Sequence, residues 1–302
     1  MKKNILITGI SGFVGTNLSH HLERLGYTVY GISRTKKDIR TMNLDILNFE
    51  KINEYIKRNK IDICIHLAGE SIVEKGQSDP YSTFRINIDG TLNILESARN
   101  NKLDRIIIAS SSHVYGKNRV PYYEGYTPRP SRPYETSKAC VDLIAQSYAD
   151  TYNLPVLIPR FVNIYGPQDV NYTRLIPKTI KSILSNESPE MWGGNAVRDY
   201  LYIDDAVNAF VALMKVDIAK VGKNRIFNFG TGSLTSVRDL MEKILRLSSS
   251  DLQIKKIEIQ REDEIKNQYV SVSKAKKLLA WTPKVDIDKG LSLTFEWYKD
   301  NV

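Results

Sequence analysis

Asn4-Ile5-Leu6-Ile7-Thr8-Gly9-Ile10-Ser11-Gly12-Phe13-Val14-Gly15 is the stretch that decides the fold. Its first five residues are largely apolar and end on glycine, the pattern of a strand buried on both faces. Over residues 12–25, Phe13, Leu18, Leu22 and Leu25 fall at helical spacing. A strand that passes through a glycine-rich turn into a helix aims backbone amides at whatever lies above the turn. Such a terminus binds pyrophosphate, and glycine lets the ligand approach the backbone and the helix approach the sheet. The spacing G-x-x-G-x-x-G makes Gly9, Gly12 and Gly15 candidate cofactor-binding residues.

The same alternation continues outward. Residues 27–32, 61–67, 105–110 and 155–161 read as further strands, and 49–58, 80–100 and 134–152 as helices. Strands alternating with helices across short loops predict an α/β fold: a Rossmann-type doubly wound parallel sheet covered on both faces. We assign it to residues 1–168, as a dinucleotide-binding domain. Residues 169–302 form a smaller C-terminal α/β domain that binds substrate. In it, 175–184, 204–214, 237–247, 273–279 and 287–298 read as helices, and 225–229 and 253–259 as strands. The strand at 225–229 is a candidate to return to the main sheet.

Ligands of such sheets bind at the carboxyl ends of the strands. Leu67, Ala68, Gly69, Ser71, Ser110 and Phe161 fall there. The end of the second strand chooses the cofactor. An acid there accepts from the adenosine ribose and favours NAD. Here the run is Ser33-Arg34-Thr35-Lys36-Lys37, with no acid before Asp38. A serine and a planar guanidinium suit a 2′-phosphate, so we read NADP(H) in preference to NAD(H). Asp45, with Ile46 beside it, is a candidate for the adenine amino group.

Tyr134 and Lys138 are four residues apart and share one helical face. A free tyrosine, with pKa ~10, is a poor acid–base catalyst at neutral pH. A neighbouring ammonium favours phenolate and lowers that value. Ser111, at the end of a strand, can hold the substrate oxygen that changes between hydroxyl and ketone. Ser111, Tyr134 and Lys138 are therefore the candidate catalytic set.

The totals narrow the class. The chain has 302 residues and a formal charge of +9, with its lysines spread over many segments. No basic block marks a nucleic-acid groove, and no apolar run approaches the roughly 20 residues that span a bilayer. The opening Met1-Lys2-Lys3 and the short apolar run after it read as a first strand, hence a cytoplasmic protein. Cys64 and Cys140 lie far apart in apolar segments and read as two free thiols; no metal site is expected.

The chain resembles the extended short-chain dehydrogenase/reductases of the NDP-sugar epimerase/dehydratase kind over essentially its whole length. The resemblance rests on Gly9 to Gly15, His66-Leu67-Ala68-Gly69, Asn87-Ile88-Asp89-Gly90-Thr91 and Ser110 to Gly116. It continues through Tyr134 to Lys138, Arg160 to Pro167, Arg198-Asp199-Tyr200 and Asn228 to Gly232. It implies that Phe13, Val14, Ala68 and Asn87 line the cofactor. It also implies that Asn163, Arg198 and Arg261 face the diphosphate of a nucleotide-diphosphate sugar. Arg261 is followed by Glu262-Asp263-Glu264, where the family usually carries a glycine. Ser71, Ser112 and His113 complete the substrate candidates.

Family dehydratases carry an Asp-Glu pair where this chain has Ser112-His113, so a 4,6-dehydratase is the less favoured reading, as is a non-catalytic dinucleotide-binding protein. The first reading is NADPH-dependent reduction of the C4 ketone of a nucleotide-activated 4-keto-6-deoxysugar; the alternative is an NAD-dependent NDP-sugar 4-epimerase. The resemblance further implies a homodimer through helices 80–100 and 134–152.

Overall fold

The computed structural model describes residues 3–34, 39–257 and 265–302. The main sheet is built from β1 (Asn4–Thr8), β2 (Thr28–Ser33), β3 (Thr41–Asn43), β4 (Ile63–His66), β5 (Arg105–Ile108), β6 (Val156–Phe161) and β7 (Ile226–Phe229). Their spatial order is 3-2-1-4-5-6-7, and every pairing is parallel. The order reverses between β1 and β4, which opens the crevice where such sheets bind ligand. Ser110–Ser111 continues past β5 and pairs with the carboxyl end of β6.

The sheet is buried on both faces because its strands are mostly apolar at successive positions. Ile5, Ile7, Ile63, Ile65, Ile107 and Leu157 point to one side, into a core shared with helices Phe13–Arg24 and Ile203–Lys215. Leu6, Cys64, Ile106, Ile108, Val156 and Ile158 point to the other, into a core shared with helices Phe49–Arg58, Gly90–Asn100 and Pro133–Tyr152. The period-two alternation of a strand thus feeds two layers.

The segment read as one helix over 80–100 is interrupted. Pro80–Phe84 is α-helical, Arg85–Asp89 widens into a π-helical turn, and Gly90–Asn100 resumes the α-helix. The inserted turn places Asn87 inward, 2% exposed, the kind of bulge that re-aims one side chain at a functional site.

Residues 226–229 do return to the main sheet, beside β6. Sequence reading missed the short edge strand β3 and four small pairings. Asn163–Tyr165 pairs with Tyr200–Tyr202, and Glu190–Trp192 with Lys255–Ile257. Val197–Arg198 lies between Thr235–Ser236 and Asn267–Gln268. These segments are two or three residues long, too short for a periodicity to register. The strand expected over 253–259 runs from Lys255 to Ile257, and its last two positions lie outside the described residues.

Candidate active site

A cleft of about 980 Å³ runs along the carboxyl ends of β1, β2, β4 and β6. At one end the glycine loop turns sharply. Gly9 has φ +70°, and its amide donates to the Ile32 carbonyl at 2.8 Å. A Cβ on Gly15 would lie 2.3 Å from the Gly9 carbonyl oxygen, so the helix packs against the turn at a distance only glycine allows. No side chain caps that helix at Gly12, which leaves its first amides for a pyrophosphate. The loop therefore fits a dinucleotide. Arg34 is exposed and lines the cleft with Ser33, Asp45 and Ile46. The Asp45 side chain accepts from the Leu47 amide at 2.9 Å.

The residues read as a proton-transfer set lie further along the cleft. Tyr134 opens the helix Pro133–Tyr152 and is 8% exposed. Burial raises the pKa of its hydroxyl, while a hydrogen bond from Ser111 and the charge of Arg174 work the other way; the net shift is upward. Lys138, one turn on, donates from Nζ to the Ala109 carbonyl at 2.9 Å. Burial pushes its pKa down to about 8. Sequence reading expected Lys138 to act on Tyr134. The charge of Arg174 favours the Tyr134 phenolate, and the Lys138 ammonium is hydrogen-bonded to the strand end.

Three polar devices hold this geometry. Asn87 donates to the Glu70 carbonyl at 3.1 Å and to Ser137 Oγ at 2.8 Å, and accepts from the Glu70 amide at 2.7 Å. It ties the loop after β4 to the turn of helix that carries Tyr134. Gly69 is required beneath it, because a Cβ there would meet Asn87 Oδ1 at 2.7 Å. Second, Arg160 Nε donates to Asp142 Oδ2 at 2.7 Å, and Ser110 Oγ donates to the same oxygen at 3.1 Å. Both members of that ion pair are fully buried, and the Arg160 guanidinium lies 4.7 Å from the Tyr115 ring centroid. Third, His66 bridges Thr8 at 2.7 Å and Thr91 at 3.2 Å, below the cleft floor.

A model of the NAD dependent epimerase/dehydratase family matches residues 5–230. The chain belongs to that family. It is 28% identical, over 98% of its length and 96% of the relative's, to the UDP-glucuronate 4-epimerase of Thermodesulfobacterium geofontis. It is 30% identical, over 99% of each chain, to the UDP-N-acetyl-alpha-D-glucosaminuronate decarboxylase of Bacillus cytotoxicus. Among solved structures it is similar to the UDP-glucose 4-epimerase of Thermotoga maritima, solved with UDP-glucose. The TM-score is 0.91 and the identity 28%, covering 98% of this chain and 99% of that one. The chain is an enzyme of the NAD(P)-dependent epimerase/dehydratase class.

In this family member, Gly9, Gly12, Phe13, Val14, Gly15, Ser33, Arg34, Asp45, Ile46, Leu67, Ala68, Gly69, Ser110 and Phe161 line the cleft. So do Ser111, Tyr134, Lys138, Ser71, His113, Asn163 and Arg198. Asn87 and Ser112 are buried and do not line it. Asn87 acts from behind, through Glu70 and Ser137, and Ser112 opens the short helix Ser112–Tyr115. Arg261 lies outside the described residues.

Sequence reading missed Glu70, Asp169, Arg174, Lys178 and Trp192, which also line the cleft. Arg174 pairs with the buried Asp169 at 3.0 Å, and the Lys178 ammonium lies 5.7 Å from the Trp192 ring centroid. Arg174 immediately precedes the helix Leu175–Leu184. Nothing in its spacing ties it to Tyr134; chain topology does. Among the described residues no acid, histidine or cysteine cluster suits a metal ion, and no helix is long and apolar enough to cross a membrane.

Proposed function

We propose that the protein is a nucleotide-diphosphate-sugar 4-epimerase that uses a nicotinamide dinucleotide held in the cleft. The observation that carries this reading is that Ser111, Tyr134 and Lys138 line one cleft together with Gly9, Gly12 and Gly15 of the glycine loop. Similarity to two 4-epimerases supports the epimerase over the reductase. A nicotinamide dinucleotide held at Gly9, Gly12 and Gly15 would supply the hydride acceptor, and then the hydride donor, for sugar C4. Tyr134 takes the C4 hydroxyl proton and later gives it back. Ser111 holds the same oxygen in both states. Arg174, paired with Asp169, lines the same cleft, and its charge favours the ionised form of Tyr134. Asn163 and Arg198 are the residues we assign to the diphosphate, within the substrate-binding part formed mainly by residues 169–302. The Asp-Glu pair that a 4,6-dehydratase needs is replaced by Ser112-His113.

Reduction of a 4-keto-6-deoxysugar by NADPH is the second reading, supported by Ser33-Arg34. Arg34 suits a 2′-phosphate, but its flat guanidinium is equally able to stack on adenine. Denaturing the purified protein and identifying the released dinucleotide separates the two. Retained NAD, with interconversion of C4 epimers and no net change in cofactor, is the expected result. An empty protein that oxidises NADPH with a 4-keto-6-deoxysugar would overturn it.

We also infer a homodimer through the helices at 80–100 and 134–152. Tyr81, Leu143 and Tyr152 are 71%, 56% and 50% exposed on them. A cytoplasmic location is our reading from the two free cysteines, Cys64 and Cys140.

A further inference from the structure

Lys138 and Asp142 follow Tyr134 at four-residue steps along the helix Pro133–Tyr152, so the three share one face. The second and third both reach the same strand end. Lys138 Nζ donates to the Ala109 carbonyl at 2.9 Å, and Ser110 Oγ donates to Asp142 Oδ2 at 3.1 Å. Two successive residues of the strand end are thus tied to successive turns of the helix that carries Tyr134. The residue that follows them is Ser111.

Asp142 is fully buried and lies outside the cleft lining. Its Oδ1 accepts from Gln146 Nε2 at 2.8 Å. Its Oδ2 accepts twice, from Ser110 and, at 2.7 Å, from Arg160 Nε. Those two donors are neighbours across the sheet: Ser110 is in register with Arg160, and Ser111 with Phe161. One carboxylate oxygen therefore joins two adjacent strands to the helix at a single point. Arg160 is held from its other side as well. Its guanidinium lies 4.7 Å from the Tyr115 ring centroid, and Nη1 donates to the Glu124 carbonyl at 3.4 Å.

Stability alone does not account for a buried ion pair here. Desolvation of two charges consumes much of what their attraction returns, and an apolar pair of the same volume is often as stable or more so. What an apolar pair lacks is an acceptor for the Ser110 hydroxyl. Placement is strict next to the chemistry, where a misplacement of about 1 Å costs roughly 10²-fold in rate.

We propose that Asp142 is a positioning residue for Ser111. Acting through Ser110, with Arg160 holding the carboxylate in place, it sets where the strand end stops against the helix, and so where the Ser111 hydroxyl stands relative to Tyr134. This rests on the 4-epimerase reading, in which Ser111 holds the C4 oxygen.

The test compares the full-length wild type, Ser110→Ala and the double variant Asp142→Leu/Arg160→Met, each with NAD and with UDP-glucose and UDP-glucuronate as probes. Ser110→Ala leaves the ion pair and its partners intact. The double variant replaces the pair by apolar groups and leaves Ser110 in place, so a loss common to both variants belongs to the tie between them. Thermal melting reports folding, and if the double variant does not fold, Ser110→Ala decides alone. In each folded variant kcat and kcat/KM are expected to fall together by at least about tenfold, with KM for the sugar nucleotide within about threefold of the wild type. A pair with a structural role alone changes the melting temperature and leaves kcat of the folded enzyme as it was. A kcat within about threefold of the wild type in Ser110→Ala or in the folded double variant, or a loss carried by KM alone, would overturn the proposal. A wild type that interconverts neither probe at C4 would overturn the epimerase reading, and this proposal with it.

Discussion

Lys138 Nζ and the Ala109 carbonyl are joined by a hydrogen bond of 2.9 Å, which fixes the lysine to the strand end just before Ser110–Ser111. Burial pushes this ammonium down to about 8. A lysine with a lowered pKa is charged below that value and neutral above it. The cation that orders the strand end is therefore lost as pH rises. We expect kcat/KM to fall on the alkaline side with a midpoint near 8, a value that a pH–rate profile reads directly. Lys138→Met removes this limb and lowers kcat by roughly 10²-fold or more.

His66 gives the fold a sensitivity to acid. It is buried between Thr8 and Thr91, and burial, with Lys138 adding to it, lowers its pKa from 6.5 to about 3. Between those values the unfolded chain binds a proton that the folded chain excludes. Stability is fully present above 6.5 and is lost as pH falls toward 3, at about 1.4 kcal/mol per pH unit from this residue. Urea unfolding at several pH values should show an acid slope for the wild type that is shallower by about one proton in His66→Gln.

Gly15→Ala tests the glycine loop. The new Cβ would meet the Gly9 carbonyl oxygen at 2.3 Å and Ile10 Cα at 2.8 Å, both backbone atoms that cannot turn aside. The helix must move away from the turn. We expect a loss of about 1–3 kcal/mol in unfolding free energy. Dinucleotide affinity, read by titration calorimetry, should fall at least about tenfold, because the helix amides no longer converge.

The sheet, and the sharing of one cleft by the candidate residues Ser111, Tyr134 and Lys138, were legible in the sequence because both follow from short-range periodicity. Apolar runs ending on glycine mark β1 and its turn, and the four-residue step from Tyr134 to Lys138 marks one helix face. Residues brought together by chain crossings were not legible. Arg174 joins Tyr134 in the lining of one cleft from forty residues further on. Asn87 resembled a cofactor-lining residue, yet the π-helical turn sends it behind the site to hold Glu70 and Ser137. His66 read as one polar interruption in an apolar strand. Its function is to bond two threonines from different elements, which no local pattern records.

The most direct test of the account is C4 interconversion by the wild type and by Tyr134→Phe, with dinucleotide binding measured on both. Incubated with UDP-glucose or UDP-glucuronate and analysed by proton NMR, the wild type should yield a mixture of C4 epimers with no net consumption of cofactor. Tyr134→Phe should bind dinucleotide as the wild type does and yield no epimer, because the only group removed is the hydroxyl that exchanges a proton at C4. Interconversion that persists in Tyr134→Phe, or a wild type that binds dinucleotide and leaves C4 unchanged in both sugars, would contradict the account.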